Sequence, residues 1–204
     1  MRNTWVFLLA AASLAMGQTC TVPGGTTLSD GPVSAQAMFT VGSNFITVSL
    51  QNTLNNPKSV GQALSGVSFT LSDGTTVGTL GSTSANIRKV AKGGSFTDLG
   101  PNNTGWALEQ NFNGGFQLCV LCTDLGAAGP SHLLIGEPSG GGTYAAANGS
   151  IAGNKPHNPF TAGTATFLVN TPPISGGAIV VSAVFYFGTQ GVAVTGTCSN
   201  LLPA

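Results

Sequence analysis

The sequence predicts an all-β fold, a two-layer antiparallel β-sandwich of jelly-roll character, and three observations carry that expectation. Short apolar runs alternate with polar residues at the two-residue period of half-buried strands, and no stretch holds a helical period. Gly accounts for 30 of 204 residues, and Asp-Gly and Asn-Gly pairs punctuate the runs where hairpin turns need positive φ. One run, Gly177 to Gly188 (GAIVVSAVFYFG), is apolar on both faces of an extended chain, with Ile179, Val181, Ala183, Phe185 and Phe187 on one side and Val180, Val184 and Tyr186 on the other. Such a strand belongs in the interior of a packed sheet structure. A β-solenoid or a closed barrel is the alternative, although no repeat of roughly 20–50 residues is present to support a solenoid.

Taken in order, residues 1–17 read as a secretory signal: Arg2 supplies charge, Trp5 to Met16 an apolar core, and Ala15-Met16-Gly17 a small-x-small cleavage site. Residues 18–204 then form a single β-rich domain of roughly 187 residues, enough for a sizeable core. No second apolar stretch follows, so the mature chain is expected to carry no membrane span and to be secreted or held at the cell surface.

Gln36 to Val41 and Phe45 to Gln51 form a hairpin pattern around Gly42-Ser43-Asn44. Asn52 to Ser65, with Asn56-Pro57 and Gly61, leaves room for a turn of helix at most. Val67 to Ser72 alternates into Asp73-Gly74 and Thr75 to Leu80, which predicts a second hairpin with a two-residue turn. Ala85 to Val90 is a further strand ending in Arg88, Lys89 and Lys92, a cluster read as a solvated edge. Gly105 to Phe112 and Phe116 to Leu121 flank Asn113-Gly114-Gly115 and should pair. Asp124 to Phe160 is rich in Gly, Pro, Ser and Asn, with only His132 to Ile135 apolar enough for a strand, so it reads as a long functional or mobile loop.

Composition narrows the function. Only 6% of residues are charged, the formal net charge is zero, and no basic run tracks a phosphate backbone, which argues against nucleic acid as a partner. A hydrophobic fraction of 42% with abundant Ser, Thr, Asn and Gly describes a folded protein with a neutral, hydroxyl-rich surface rather than a disordered chain.

Four cysteines in an exported chain read as two disulfides with three pairings open, and the proximity of domain termini favours Cys20 with Cys198 and Cys119 with Cys122. The CVLC spacing closes a strand rather than opening a helix, so a structural bridge is favoured over redox or metal chemistry. The carboxylates are scattered and no zinc-spaced His pair exists, so no catalytic residue, metal or cofactor is assigned. His132, Tyr144 and His157 lie in the long loop region and are the ligand-contact candidates. Trp106 joins them for stacking on a sugar.

The run AGPSHLLIGEPSGGGTYAAANGSIAGNKPHNPF (Ala128 to Phe160), then GTATFLV and SAVFYFGT, and SVGQALSGVSFTLSDG (Ser59 to Gly74), resemble the ectodomain of bacterial PEP-CTERM, exosortase-sorted surface proteins. The resemblance implies an exported β-rich protein of a biofilm- or exopolysaccharide-producing bacterium, with no enzymatic residues to carry over. The family's Pro-Glu-Pro tag, membrane span and basic tail are not found before Leu201-Leu202-Pro203-Ala204, so release is expected over anchoring.

The expected function is therefore a non-enzymatic exported surface or extracellular-matrix protein whose partners are exopolysaccharide or other surface components. The alternatives are a carbohydrate-binding sandwich module and, third, a secreted hydrolase using the loop histidines.

Overall fold

Twelve strands of four residues or more, and three two-residue ones, make up the computed structural model, which describes residues 16–140 and 142–200. The expected signal segment lies outside the described residues except for Met16 and Gly17, which open β1 (Met16–Thr21). A small ribbon of β2 (Thr27–Leu28) and β3 (Gly31–Pro32) leads to the hairpin β4 (Ala35–Val41) and β5 (Phe45–Asn52). A 3₁₀ turn at Val60–Gln62 precedes β6 (Leu64–Leu71), followed by β7 (Thr79–Val90) and β8 (Phe96–Asn102). The hairpin β9 (Ala107–Phe112) and β10 (Gly115–Cys119) comes next, then β11 (Leu134–Ile135) and β12 (Phe160–Asn170). The chain finishes through β13 (Val180–Phe187), β14 (Val192–Thr195) and β15 (Thr197–Asn200).

Neighbour pairing defines two layers, a larger one in the order β15-β1-β4-β5-β12-β7-β8 and a smaller one in the order β14-β13-β6-β10-β9. β11 stitches them: Leu134 pairs with Thr161 of β12 in parallel and with Leu64 of β6 in antiparallel sense. The fold is thus an all-β sandwich made from one bent sheet that does not close into a barrel. The β11–β12 pair departs from the purely antiparallel expectation.

The two layers face each other through aromatic rings. Phe39 of β4 meets Phe69 of β6 across the layers at 4.9 Å between centroids, Phe69 stacks on its neighbour Phe116 of β10 within the smaller layer at 5.4 Å, and Trp106, just before β9, meets Phe167 of β12 at 5.4 Å. The four phenylalanines occupy inward positions of their strands, which is why the period-two pattern was readable in the sequence.

Two expectations need correction. β6 and β7 do not pair, so Asp73-Gly74 is not a hairpin turn. Gly74 does adopt positive φ, but the Asp73 carboxylate accepts the backbone N–H of Thr75 and, from another loop, that of Ser175 at 3.0 Å. Burial pushes the Asp73 pKa up, and those donors outweigh it and hold the group below the usual carboxylate range. The turn is a crossing from the smaller layer to the larger.

The second correction concerns the doubly apolar run. β13 is interior to its sheet, between β6 and β14, but only one face is buried. The register slips between Val180 and Ser182, a bulge that makes Val181 the extra residue and leaves it 54% exposed. Val180 and Ala183 thereby share the core face with Phe185 and Phe187. Gln18 of β1, buried beneath the bulge, donates its Nε2 to the Val180 carbonyl at 3.1 Å and accepts the Val180 N–H. A buried amide thus satisfies both backbone groups of the residue at which the slip begins.

Both favoured disulfides form. Cys20 and Cys198 are directly opposite on β1 and β15, and Cys119 bonds Cys122 at the end of β10. The first closes a separation of 178 residues, worth up to about 5 kcal/mol on the chain-entropy model, and the second a separation of 3, worth about 1–2 kcal/mol. Replacing Cys20 and Cys198 together by Ser is therefore expected to lower the urea midpoint far more than replacing Cys119 and Cys122. Equal shifts for the two double variants, measured without reductant so that the remaining disulfide stays closed, would contradict this ranking.

Candidate functional site

Arg88 is the charge around which the candidate region is built. Its position on β7 faces inward, and it is 6% exposed, so its guanidinium requires partners on every side. It donates from Nε to Asp98 Oδ1 at 2.6 Å and from its second terminal nitrogen to Asp98 Oδ2 at 3.0 Å, a two-pronged grip on the residue directly opposite on β8. The first terminal nitrogen donates to Glu137 Oε2 and to the Tyr144 hydroxyl, both at 3.0 Å. The Phe96 ring centroid lies 4.1 Å from the guanidinium carbon, and the Tyr144 hydroxyl donates a hydrogen bond to the Gly136 carbonyl at 2.9 Å. The reading of Arg88 as part of a solvated edge is thus overturned: opposed carboxylates and rings make burial of the cation tolerable.

Tyr144 is also corrected as a ligand-contact candidate, because its side chain is 1% exposed and committed to this network. Burial pushes its pKa up to about 12, although the Arg88 charge opposes that shift. For Arg88, burial alone would lower the pKa, but hydrogen bonds to Asp98 and Tyr144 raise it overall, so the group is a permanent cation. Gly94, at φ 85, lets the β7–β8 turn approach the Tyr144 backbone, whose N–H donates to the Gly94 carbonyl at 2.9 Å; a Cβ there would strike the Tyr144 carbonyl. The network therefore pins the 136–144 segment onto the β7–β8 hairpin.

Next to it, a cleft of about 520 Å³ opens between the β7–β8 ends and residues 153–158. Lys89, Thr97, Leu99, Asn154, Lys155 and Asn158 line it. Asn158 holds its far wall: Oδ1 accepts the Val90 N–H at 2.7 Å while Nδ2 donates to the carbonyls of Ile151 and Asn154. Gly153 N–H adds a bond to the Val90 carbonyl at 3.0 Å.

A second groove, about 280 Å³, lies on the outer face of the smaller sheet and is lined by Ser65, Phe112, Gln117, Leu121, the Cys119–Cys122 bridge and Tyr186. Phe112 and Tyr186 are half-buried and meet edge-on at 6.4 Å, and the Tyr186 hydroxyl lies 3.2 Å from Ser68 Oγ. Thr70 and Ser182 continue the hydroxyl row at 2.7 Å. Ser65 Oγ is buried with no hydrogen-bond partner. Glu109 approaches the two sulfurs here, but both are consumed by the disulfide and offer no thiolate to a metal.

The remaining candidates do not converge. His132, at φ 67, has Nδ1 3.2 Å from Ser131 Oγ, and burial lowers its pKa. His157 Nδ1 lies 2.7 Å from the Ser150 carbonyl oxygen. Among the described residues no carboxylate is hydrogen-bonded to either imidazole, and neither imidazole lines the two clefts above. Trp106 is buried, its Nε1 donating to the His132 carbonyl at 2.9 Å, so it is a core ring and not a stacking surface. Sequence reasoning missed Phe112, Tyr186 and Gln117 as surface groups. The register would have exposed them: Phe112 sits beside the turn, and Gln117 alternates with the buried Phe116 and Leu118.

No protein-family model, curated protein or solved structure matches the chain.

Replacing Arg88 by Met is expected to destabilise the fold by about 1–2 kcal/mol, because the buried Tyr144 hydroxyl loses its donor while the Asp98 and Glu137 carboxylates, 40% and 42% exposed, lose a counter-charge that water partly replaces. The pH dependence follows from Asp98, held below the usual carboxylate range first by the Arg88 hydrogen bonds and only partly opposed by burial. Stability from such a lowered carboxylate is complete above its unfolded pKa of about 3.9 and is lost as pH falls through the folded value. Urea midpoints measured from pH 6 to 2 should fall in the wild type over that window and less steeply in R88M.

Proposed function

We propose that this protein is a non-enzymatic, exported surface or extracellular-matrix protein that holds neutral exopolysaccharide on the outer face of its smaller sheet. The observation that carries the reading is the half-buried Phe112–Tyr186 pair set beside the Gln117 amide. Aromatic rings stack on the C–H faces of sugars, and hydroxyls and amides exchange hydrogen bonds with sugar hydroxyls. The strands hold these groups, so little ordering entropy is lost on binding. The two disulfides suit an oxidising compartment outside the cytoplasm. The scarcity of charge suits contact with an uncharged polymer, where desolvating ions would be a cost.

Affinity electrophoresis of the mature protein through gels containing neutral glucans tests this. Retardation is expected for the wild type, with a loss of about tenfold in affinity for F112A or Y186A and near-wild-type behaviour for Y186F, which keeps the ring. Unretarded migration across a panel of neutral polymers, together with unchanged matrix and adhesion in a strain lacking the gene, would refute the proposal.

A further inference from the structure

The 520 Å³ cleft beside β8 differs in chemistry from the aromatic groove, and its charge is what sets it apart. Six carboxylates are present in the sequence, and none of them lines the cleft. Lys89 and Lys155 do, and the backbone of Lys92 packs against Gly153 of the same wall. Strand alternation produces this sorting: Arg88 pairs with Asp98 on one face of the β7–β8 hairpin, and Lys89 pairs with Thr97 on the other, so the acids that neutralise Arg88 are turned away from the lysine. The result is a pocket with positive charge and no internal counter-ion.

The rest of the lining narrows the ligand. Leu99 is 52% exposed, a large apolar side chain left uncovered in a lining it shares with Val90 and Ala91. Asn154 Nδ2 donates to the Gly149 carbonyl at 3.1 Å, which fixes the orientation of the amide, and its Oδ1 is buried without a partner. A matching ligand therefore combines an anion for the lysines, a hydroxyl for the exposed Thr97 side chain and a C–H face for Leu99. The volume lies within the roughly 300–1,000 Å³ typical of small-molecule sites. The carboxylated pyranose of a uronic acid has all three features on one ring. Inorganic phosphate has the anion without the apolar face, and a fatty acid lacks the hydroxyls.

We infer that this cleft is a second polysaccharide site, selective for uronic-acid units, with Lys89 and Lys155 meeting the carboxylate. The inference rests on the polysaccharide reading only in that the protein meets extracellular polymer; the site, residues and ligand charge are separate. Because both lysines are exposed, the attraction is screened by salt, and the contact recognises acidic polymer mainly at low ionic strength.

The test is affinity electrophoresis of the mature protein in gels containing polygalacturonate, run beside gels containing an uncharged glucan of similar length. Polygalacturonate is expected to retard the wild type, and the K89Q/K155Q double variant to lose about tenfold in affinity, with K58Q unchanged as a lysine outside the cleft. Thermal midpoints of the variants guard against misfolding. Unaltered retardation of the double variant overturns the inference. So does equal displacement by inorganic phosphate at the same concentration of charge, since that makes the cleft a general anion surface. Retention on the neutral glucan that depends on Tyr186 but not on the lysines leaves the first proposal standing while this one falls. Retention on polygalacturonate alone, lost with the lysines, does the reverse.

Discussion

The buried guanidinium of Arg88 is the constraint from which the functional end of the molecule follows. A cation that is nearly inaccessible to water must have its N–H groups matched, and four of the five are matched by Asp98, Glu137 and Tyr144. Those partners come from β8 and from the long connection before β12, so one side chain fixes two segments that share no ladder. The 136–144 stretch lies over the β7–β8 hairpin because Glu137 and Tyr144 are drawn there. The Asn158 carboxamide then completes the attachment by taking the Val90 N–H at the end of the same hairpin. The cleft wall is thus held at both ends by hydrogen bonds to one strand, and its shape exists before any ligand arrives.

A parallel logic operates at the opposite layer. The slip in β13 follows Val180, which stays opposite Leu71 of β6, and the Val180 N–H and carbonyl are both taken by Gln18 from the facing sheet. A polar side chain in the core is acceptable here because the bulge presents it with one donor and one acceptor. The same slip moves Val181 outward and sends Tyr186 to the outer face, where it meets Phe112. One irregularity therefore both joins the two layers and supplies half of the aromatic groove.

Much of the architecture was legible because strand alternation is local. The β4–β5 and β9–β10 hairpins, the strand character of 163–169 and both disulfide pairings could be read from period, turn residues and cysteine position. Asp73-Gly74 misled because the same dipeptide serves a hairpin and a layer crossing, and the Ser175 N–H that decides between them is about a hundred residues away in the chain. Val181 misled because a bulge reverses the inside–outside alternation without any change of residue type. The candidate site was harder still. Aromatic and cationic residues look alike in sequence whether they face water or the core, so Tyr144, Trp106 and Arg88 were placed outside while Tyr186 was placed inside. What separates the two sets is the strand register, which the local pattern does not contain.

Charge in this chain is scarce, and its disposition is correspondingly informative. Asp98 and Glu137 are spent on Arg88, Asp73 on the N–H groups of Thr75 and Ser175, and Asp30 on the Ser59 hydroxyl at 2.9 Å. Each of these acids does local structural work, holding a loop or a buried cation. Lys89 and Lys155 are given no carboxylate in the wall they share, although acids lie on the neighbouring face of the same hairpin. Exposed surface pairs contribute little to stability, so the lysines are not needed there for folding, and an unpaired lysine costs little where it is solvated. A long-range field from two or three charges is weak, but inside a cleft with an apolar wall it meets less competing solvent than on a flat surface. The arrangement therefore favours discrimination at short range over attraction from a distance.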